Sequence, residues 1–171
     1  MPETDLLQHT SQVFKRVLRL MGNRFEISVV NDEEETANQH IDAAVEEIRR
    51  IEKLLTTFDP SSQTNQVNQF AGERPVKVDR EVFDLISRSK IISQLTQGAF
   101  DITYGSVDKR LWNFDQEMKT LPDAETAARM VRLINYRNVI LDEKKGTVFL
   151  KEAGMRIGFG GIGKGYAAEM A

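Results

Sequence analysis

Leu20-Met21-Gly22-Asn23-Arg24-Phe25-Glu26-Ile27-Ser28-Val29 is the stretch that decides what kind of fold this chain adopts. Phe25, Ile27 and Val29 alternate with Arg24, Glu26 and Ser28, the period-two pattern of a strand that buries one face. Met21-Gly22-Asn23 reads as a turn, and Phe14, Leu18 and Leu20 ahead of it supply a partner strand, so a hairpin is predicted. The period then changes. Across residues 36–58, Ile41, Val45, Ile48, Ile51, Leu54, Leu55 and Phe58 recur at three and four with charges between them, which predicts a long amphipathic helix.

Further out, Asp59-Pro60-Ser61-Ser62 ends that helix, because the residue before a proline disfavours helical geometry, and a polar loop is expected through Asn68. Asp79 is placed to cap a second helix carrying Val82, Leu85, Ile86, Ile92 and Leu95, with Gly98 just past its end. A third, shorter helix is predicted over 123–133. Val139 with Leu141, and Val148 with Leu150, make two short strands around a Lys144-Lys145-Gly146 turn. Met155, Ile157 and Phe159 read as one more strand, leading into glycines, and Ile162 onward as a helix that has scarcely begun at Ala171. Strand pairs interspersed with helices predict an α+β fold of layered sheet and helices, not a regular βαβ repeat, and the short last helix predicts an incomplete domain.

Composition narrows the chemistry. The 171 residues carry 23 Lys+Arg against 26 Asp+Glu, a net charge of −3, so a basic nucleic-acid grip is not expected. Without cysteine there is no disulfide, thiolate zinc site, iron–sulfur cluster or Cys nucleophile. With only His9 and His40, a Ser-His-Asp triad or a His-rich metal site is not expected either. No apolar run approaches the roughly 20 residues that cross a bilayer, and the acidic start followed by polar Gln8 and Gln12 does not read as a secretory signal.

Two segments stand out for chemistry. Gly158-Phe159-Gly160-Gly161-Ile162-Gly163-Lys164-Gly165 sets four glycines of its turn around one lysine, between a predicted strand and a predicted helix, where backbone N–H groups can approach a phosphate. It nearly matches the phosphate-loop pattern, but Gly165 stands where Ser or Thr would hold magnesium. A glycine-lined packing contact is the plain alternative. Gly98-Ala99-Phe100-Asp101-Ile102-Thr103-Tyr104-Gly105 places an acid and a hydroxyl two residues apart. In an extended segment both would point the same way, toward sugar hydroxyls or a cofactor edge; in a turn they would satisfy backbone groups, which is the commoner use. Leu111-Trp112-Asn113-Phe114 offers aromatics for a flat ring or for the core, and Glu33-Glu34-Glu35 reads as solvated charge at a helix start.

Taken in order, these segments resemble the FAD:protein FMN transferases, the ApbE family. Leu20 to Phe25 looks like the family's opening Met-Gly turn, and Phe58-Asp59-Pro60-Ser61-Ser62 through Val67-Asn68 like its helix-terminating segment. Gly98 to Tyr104 is similar to its Gly-Ala-Phe-Asp-Ile-Thr motif, and Gly160-Gly161-Ile162-Gly163-Lys164-Gly165-Tyr166-Ala167 to its glycine-rich signature. The resemblance runs from residue 20 to the end, leaving 1–19 as an N-terminal segment, and matches the family's first half. The family's later His-Asp-Pro motif and its Asp and Thr ligands for magnesium have no counterpart.

The resemblance implies a T-fold-like α+β architecture and magnesium-dependent transfer of FMN from FAD to a threonine hydroxyl of an acceptor flavoprotein, with AMP released. It implies FAD contacts from Met21, Phe58, Ala99, Phe100, Asp101 and Lys164, and a backbone carbonyl from Gly161 to the magnesium. Gly158 sits where many members have Asp. It further implies a periplasmic or membrane-associated setting, with a cytoplasmic one as the alternative, and no turnover by the 171 residues alone. A non-catalytic FAD-binding or flavin-delivery module is the alternative, with a phosphate-loop NTPase behind it because its glycine loop would open a βαβ unit.

Overall fold

The computed structural model describes residues 11–108 and 121–171. His9 and the Leu111–Phe114 aromatics lie outside the described residues. The chain divides into two compact units, residues 1–52 with 165–171, and residues 53–164.

In the first unit, β1 (Gln12–Leu20) and β2 (Asn23–Asn31) form the antiparallel hairpin. Its register pairs Phe14 with Val29, Arg16 with Ile27 and Leu18 with Phe25, so one face collects the half-buried apolar residues. The loop is tighter than the sequence reading. It consists of Met21 and Gly22 alone, both at positive φ (49° and 71°), while Asn23 already pairs with Leu20. Two left-handed residues match the twist of the flanking strands, which is why short hairpins use them. β1 begins at Gln12 and so runs across the 19/20 boundary at which the family resemblance starts. The helix α1 (Glu34–Leu55) follows, with Ile41, Val45, Ile48 and Ile51 buried along one stripe. Arg16 reaches from the hairpin to α1, donating to Asn38 Oδ1 at 3.0 Å and to the Asp42 carboxylate. α1 stops three residues before Phe58, which the periodicity had included, and Phe58 is instead 88% exposed.

In the second unit, the expected polar loop is a helix, α2 (Gln63–Gln69). Thr64, Val67, Asn68 and Ala71 are buried at helical spacing, and Ser62 caps the start by accepting from Asn65 N–H at 3.1 Å. The two-residue strand β3 (Val76–Lys77) precedes α3 (Arg80–Leu95). Asp79 stands at the N-cap position of α3 without a capping bond; its carboxylate accepts from Gln63 Nε2 at 2.6 Å. A 3-10 helix (Ile102–Ser106), α4 (Ala124–Arg132), β4 (Val139–Asp142) and β5 (Thr147–Leu150) complete the unit. The sheet order is β3-β5-β4, all antiparallel. Val139 of β4 and Val148 and Leu150 of β5 are buried. Lys90 of α3 donates to the carbonyl of Val139, and its burial pushes the ammonium below the usual lysine range. The last helix, α5 (Gly163–Met170), starts in this unit.

Candidate functional site

Residues 155–159 keep the predicted alternation, with Met155, Ile157 and Phe159 buried and Arg156 exposed, yet they pair with no strand. A side chain takes the strand's place. Asn68 of α2 accepts from Ile157 N–H at 2.7 Å and donates through Nδ2 to Ile157 C=O at 3.0 Å. Ser106 does the same for Arg156, accepting from its N–H at 2.9 Å and donating to its C=O at 3.2 Å. Gly158 N–H then donates to Ile102 C=O at 3.1 Å. At Gly105 an added Cβ would stand 3.3 Å from Arg156 O, so glycine permits this close packing of 102–106 on 156–158.

Because of that docking, the two sequence motifs meet. The ring of Phe100 lies on Gly161, where a Cβ would come within 3.0 Å of Cε2. Gly160 and Gly165 face open space, with nothing within 4 Å of a Cβ built at either. Lys164, on the first turn of α5, donates to Gly160 C=O at 3.3 Å. The loop's N–H groups are only partly turned outward: Ile162 and Gly163 N–H both donate to Phe159 C=O, at 3.1 and 2.6 Å. This corrects the picture of a phosphate loop between strand and helix, since neither the strand nor a βαβ unit exists among the described residues.

Asp101 and Thr103 do not lie in an extended segment. Asp101 caps the 3-10 helix, its Oδ1 accepting from Thr103 N–H at 2.8 Å and from Thr103 Oγ1 at 2.6 Å, and its Oδ2 from Tyr136 N–H at 3.0 Å. Thr103 Oγ1 in turn accepts from Asn135 N–H at 2.8 Å. The turn reading of these residues is the one the structure shows. Of the other expected site residues, Ala99 is exposed beside Phe100, after a turn in which Gln97 and Gly98 take φ of 54° and 89°. Phe58 projects from a turn held by Asn65, whose Nδ2 donates to Thr57 C=O at 2.9 Å and Asp59 C=O at 2.6 Å. Asp59 accepts from Ser61 Oγ and N–H, which holds its carboxyl below the usual carboxylate range. Met21 belongs to the other unit, at the hairpin tip.

Sequence reasoning missed Asn65 and Asn68 as site-building residues. Their signal was present: Thr64, Val67, Asn68 and Ala71 follow a helical stripe inside a segment that its polarity marks as loop. Among the described residues, every buried side-chain N or O atom has a partner, so a ligand here would meet half-buried and exposed groups. The open glycine face beside Phe100 and Lys164 fits a flat ring joined to a phosphate group. The donor set for a metal does not fit. No three His, Cys, Asp or Glu side chains gather among the described residues, and Gly161 has only its backbone carbonyl to offer.

The model of the ApbE family matches residues 21–171. An FAD:protein FMN transferase of Klebsiella pneumoniae is 33% identical over 93% of this chain and 49% of its own length. One from Treponema pallidum is 30% identical over 75% of the chain and 38% of its own. The crystal structure of the ApbE protein from Thermotoga maritima superposes with a TM-score of 0.82 at 29% identity, over 92% of this chain and 50% of that one. The flavin transferase ApbE from Vibrio cholerae, at 18% identity and a TM-score of 0.77, shares the fold. The chain spans about half the length of the relatives it matches. Helices with small antiparallel sheets make it α+β, as its sequence pattern predicts, and no described helix is long and apolar enough to cross a membrane.

Proposed function

The chain belongs to the ApbE family, and we propose that it supplies the FAD-binding part of an enzyme that moves FMN from FAD to a threonine hydroxyl of an acceptor flavoprotein, releasing AMP. The observation that carries this reading is the contact of the Phe100 ring with Gly161, which puts an aromatic face, an open glycine backbone and Lys164 in one unit. Residues 20–171 are then the N-terminal part of a flavin transferase domain and 1–19 a preceding segment. The family resemblance favours a periplasmic or membrane-associated setting, with a cytoplasmic one as the alternative.

The residues divide the work by their chemistry. Phe100 and Phe58 offer ring faces to a flavin or adenine, and Ala99 apolar contact. Lys164 holds its ammonium at the glycine turn, against Gly160 C=O, where it can neutralise a pyrophosphate oxygen as the hydroxyl attacks. Asp101 accepts three hydrogen bonds from protein groups, and a carboxylate has about four acceptor sites. One remains for a cofactor hydroxyl. Among the described residues the Gly161 backbone carbonyl is what could face a magnesium ion, whose side-chain ligands would have to come from outside them.

Transfer itself is the test. The chain joined in one polypeptide to the C-terminal half of a relative, given FAD, magnesium and a threonine-bearing acceptor, should yield an acceptor band that stays fluorescent after denaturation. Binding of FAD with no such band would favour the second reading, a flavin-binding or delivery module.

A further inference from the structure

We propose that Asn65 and Asn68 are positioning residues of the flavin site, setting the distance between the Phe58 turn and the 156–161 segment through their side-chain amides. The inference rests on the flavin reading above and deepens it. Asn65 and Asn68 are one helical turn apart on α2, so they emerge from the same face. Asn65 grips the carbonyls on both sides of Phe58, and Asn68 grips both backbone groups of Ile157, one residue before Gly158. α2 is itself fixed to the preceding turn, since Ser62 Oγ donates to Thr56 C=O at 2.7 Å and Thr64 Oγ1 to Leu55 C=O at 3.3 Å.

The amide is the group this geometry requires. Asn68 is 6% exposed and Ile157 1%, so each backbone group of Ile157 must find its partner within the protein. A carboxylate can accept from Ile157 N–H but cannot donate to its carbonyl, and would face that oxygen with like partial charge. A protonated carboxyl can do both. Asn68→Asp therefore converts a pH-independent bracket into one that closes only on protonation, at a pH raised by burial above the usual carboxylate range.

The experiment titrates FAD into the 171-residue chain by calorimetry between pH 5 and 8, and follows the hydrogen-exchange protection of the Ile157 amide. Wild type should bind FAD with little pH dependence. Asn68→Asp should bind on the order of tenfold more weakly at pH 8 and recover most of that at pH 5, with Ile157 protection returning in step. Asn65→Asp, on a half-buried side chain, should weaken FAD binding in the folded chain even if Asn68→Asp unfolds at pH 8. Ile157 protection that follows pH while FAD affinity stays constant would overturn the positioning role, as would folded variants binding FAD like wild type. Failure of wild type itself to bind FAD would instead overturn the flavin reading, before any substitution is compared.

Discussion

The hairpin Gln12–Asn31 and the segment 155–159 both alternate apolar and polar residues, but they are held by different means. In the hairpin each strand satisfies the other through a continuous antiparallel ladder closed by a two-residue turn. The second segment is held by Asn68 of α2 and by Ile102 and Ser106 of the 3-10 helix, two parts of the chain distant from it in sequence. A ladder tolerates change at one position because its neighbours persist. A segment held by single side chains and close glycine contacts has no such reserve, and it is the one that carries the glycine turn.

The largest effect should come from Gly72, which fixes the end of β5 next to that segment. It has φ +77°, donates to Leu150 C=O at 2.8 Å, and a Cβ there would meet Ala153 N at 2.6 Å, a backbone atom that cannot swing aside. Gly72→Ala should cost about 3 to 4 kcal/mol, strain plus overpacking, read by chemical denaturation. Its counterpart in the hairpin is Gly22, at φ +71° with open space around it. Gly22→Ala should cost only about 1 to 2 kcal/mol. Equal losses would show that the two regions do not differ as described.

Smaller again is Gly161→Ala, which asks the Phe100 ring to give by a few tenths of an ångström. Thermal stability should fall by less than about 1 kcal/mol while FAD affinity drops roughly threefold to tenfold, because the ring face moves. Unchanged FAD affinity would separate this contact from the site. The smallest effect concerns acid. Glu26 is held below its usual range by the Arg24 hydrogen bond, and Asp123, capping α4, by the hydrogen bonds from Thr126. Each folded pKa lies under the unfolded one, so their stabilisation is complete above the ordinary carboxylate range and is lost as pH falls through the lowered values. Both are solvent-exposed, so the thermal midpoint should decline only gently below about pH 4, and Asp123→Ala should flatten part of that decline.

What the sequence made legible follows the same division. The hairpin, α1, α3, α4 and the β4–β5 pair announce themselves because their periodicity and caps are local, and the neighbours that satisfy them lie close in the chain. α2 was hidden because its stripe of Thr64, Val67 and Asn68 buries polar atoms, which a hydrophobic pattern does not count. Residues 155–159 read as a strand because alternation reports burial, and burial does not say whether a strand or an asparagine pairs the backbone. Asp101 and Thr103 carried a choice between cofactor and turn that only the N–H groups of Asn135 and Tyr136, more than thirty residues on, resolve. The meeting of Phe100 with Gly161 has no local trace at all.

Competitive calorimetry with FAD and ATP on wild type and Lys164→Ala decides whether Phe100, the glycine turn and Lys164 form the proposed flavin-nucleotide site. FAD should bind in the micromolar range, about −8 kcal/mol, at least tenfold tighter than ATP, and be weakened by about 1 to 3 kcal/mol in the variant. Tight ATP binding that disappears in Lys164→Ala, with FAD ignored, would contradict it.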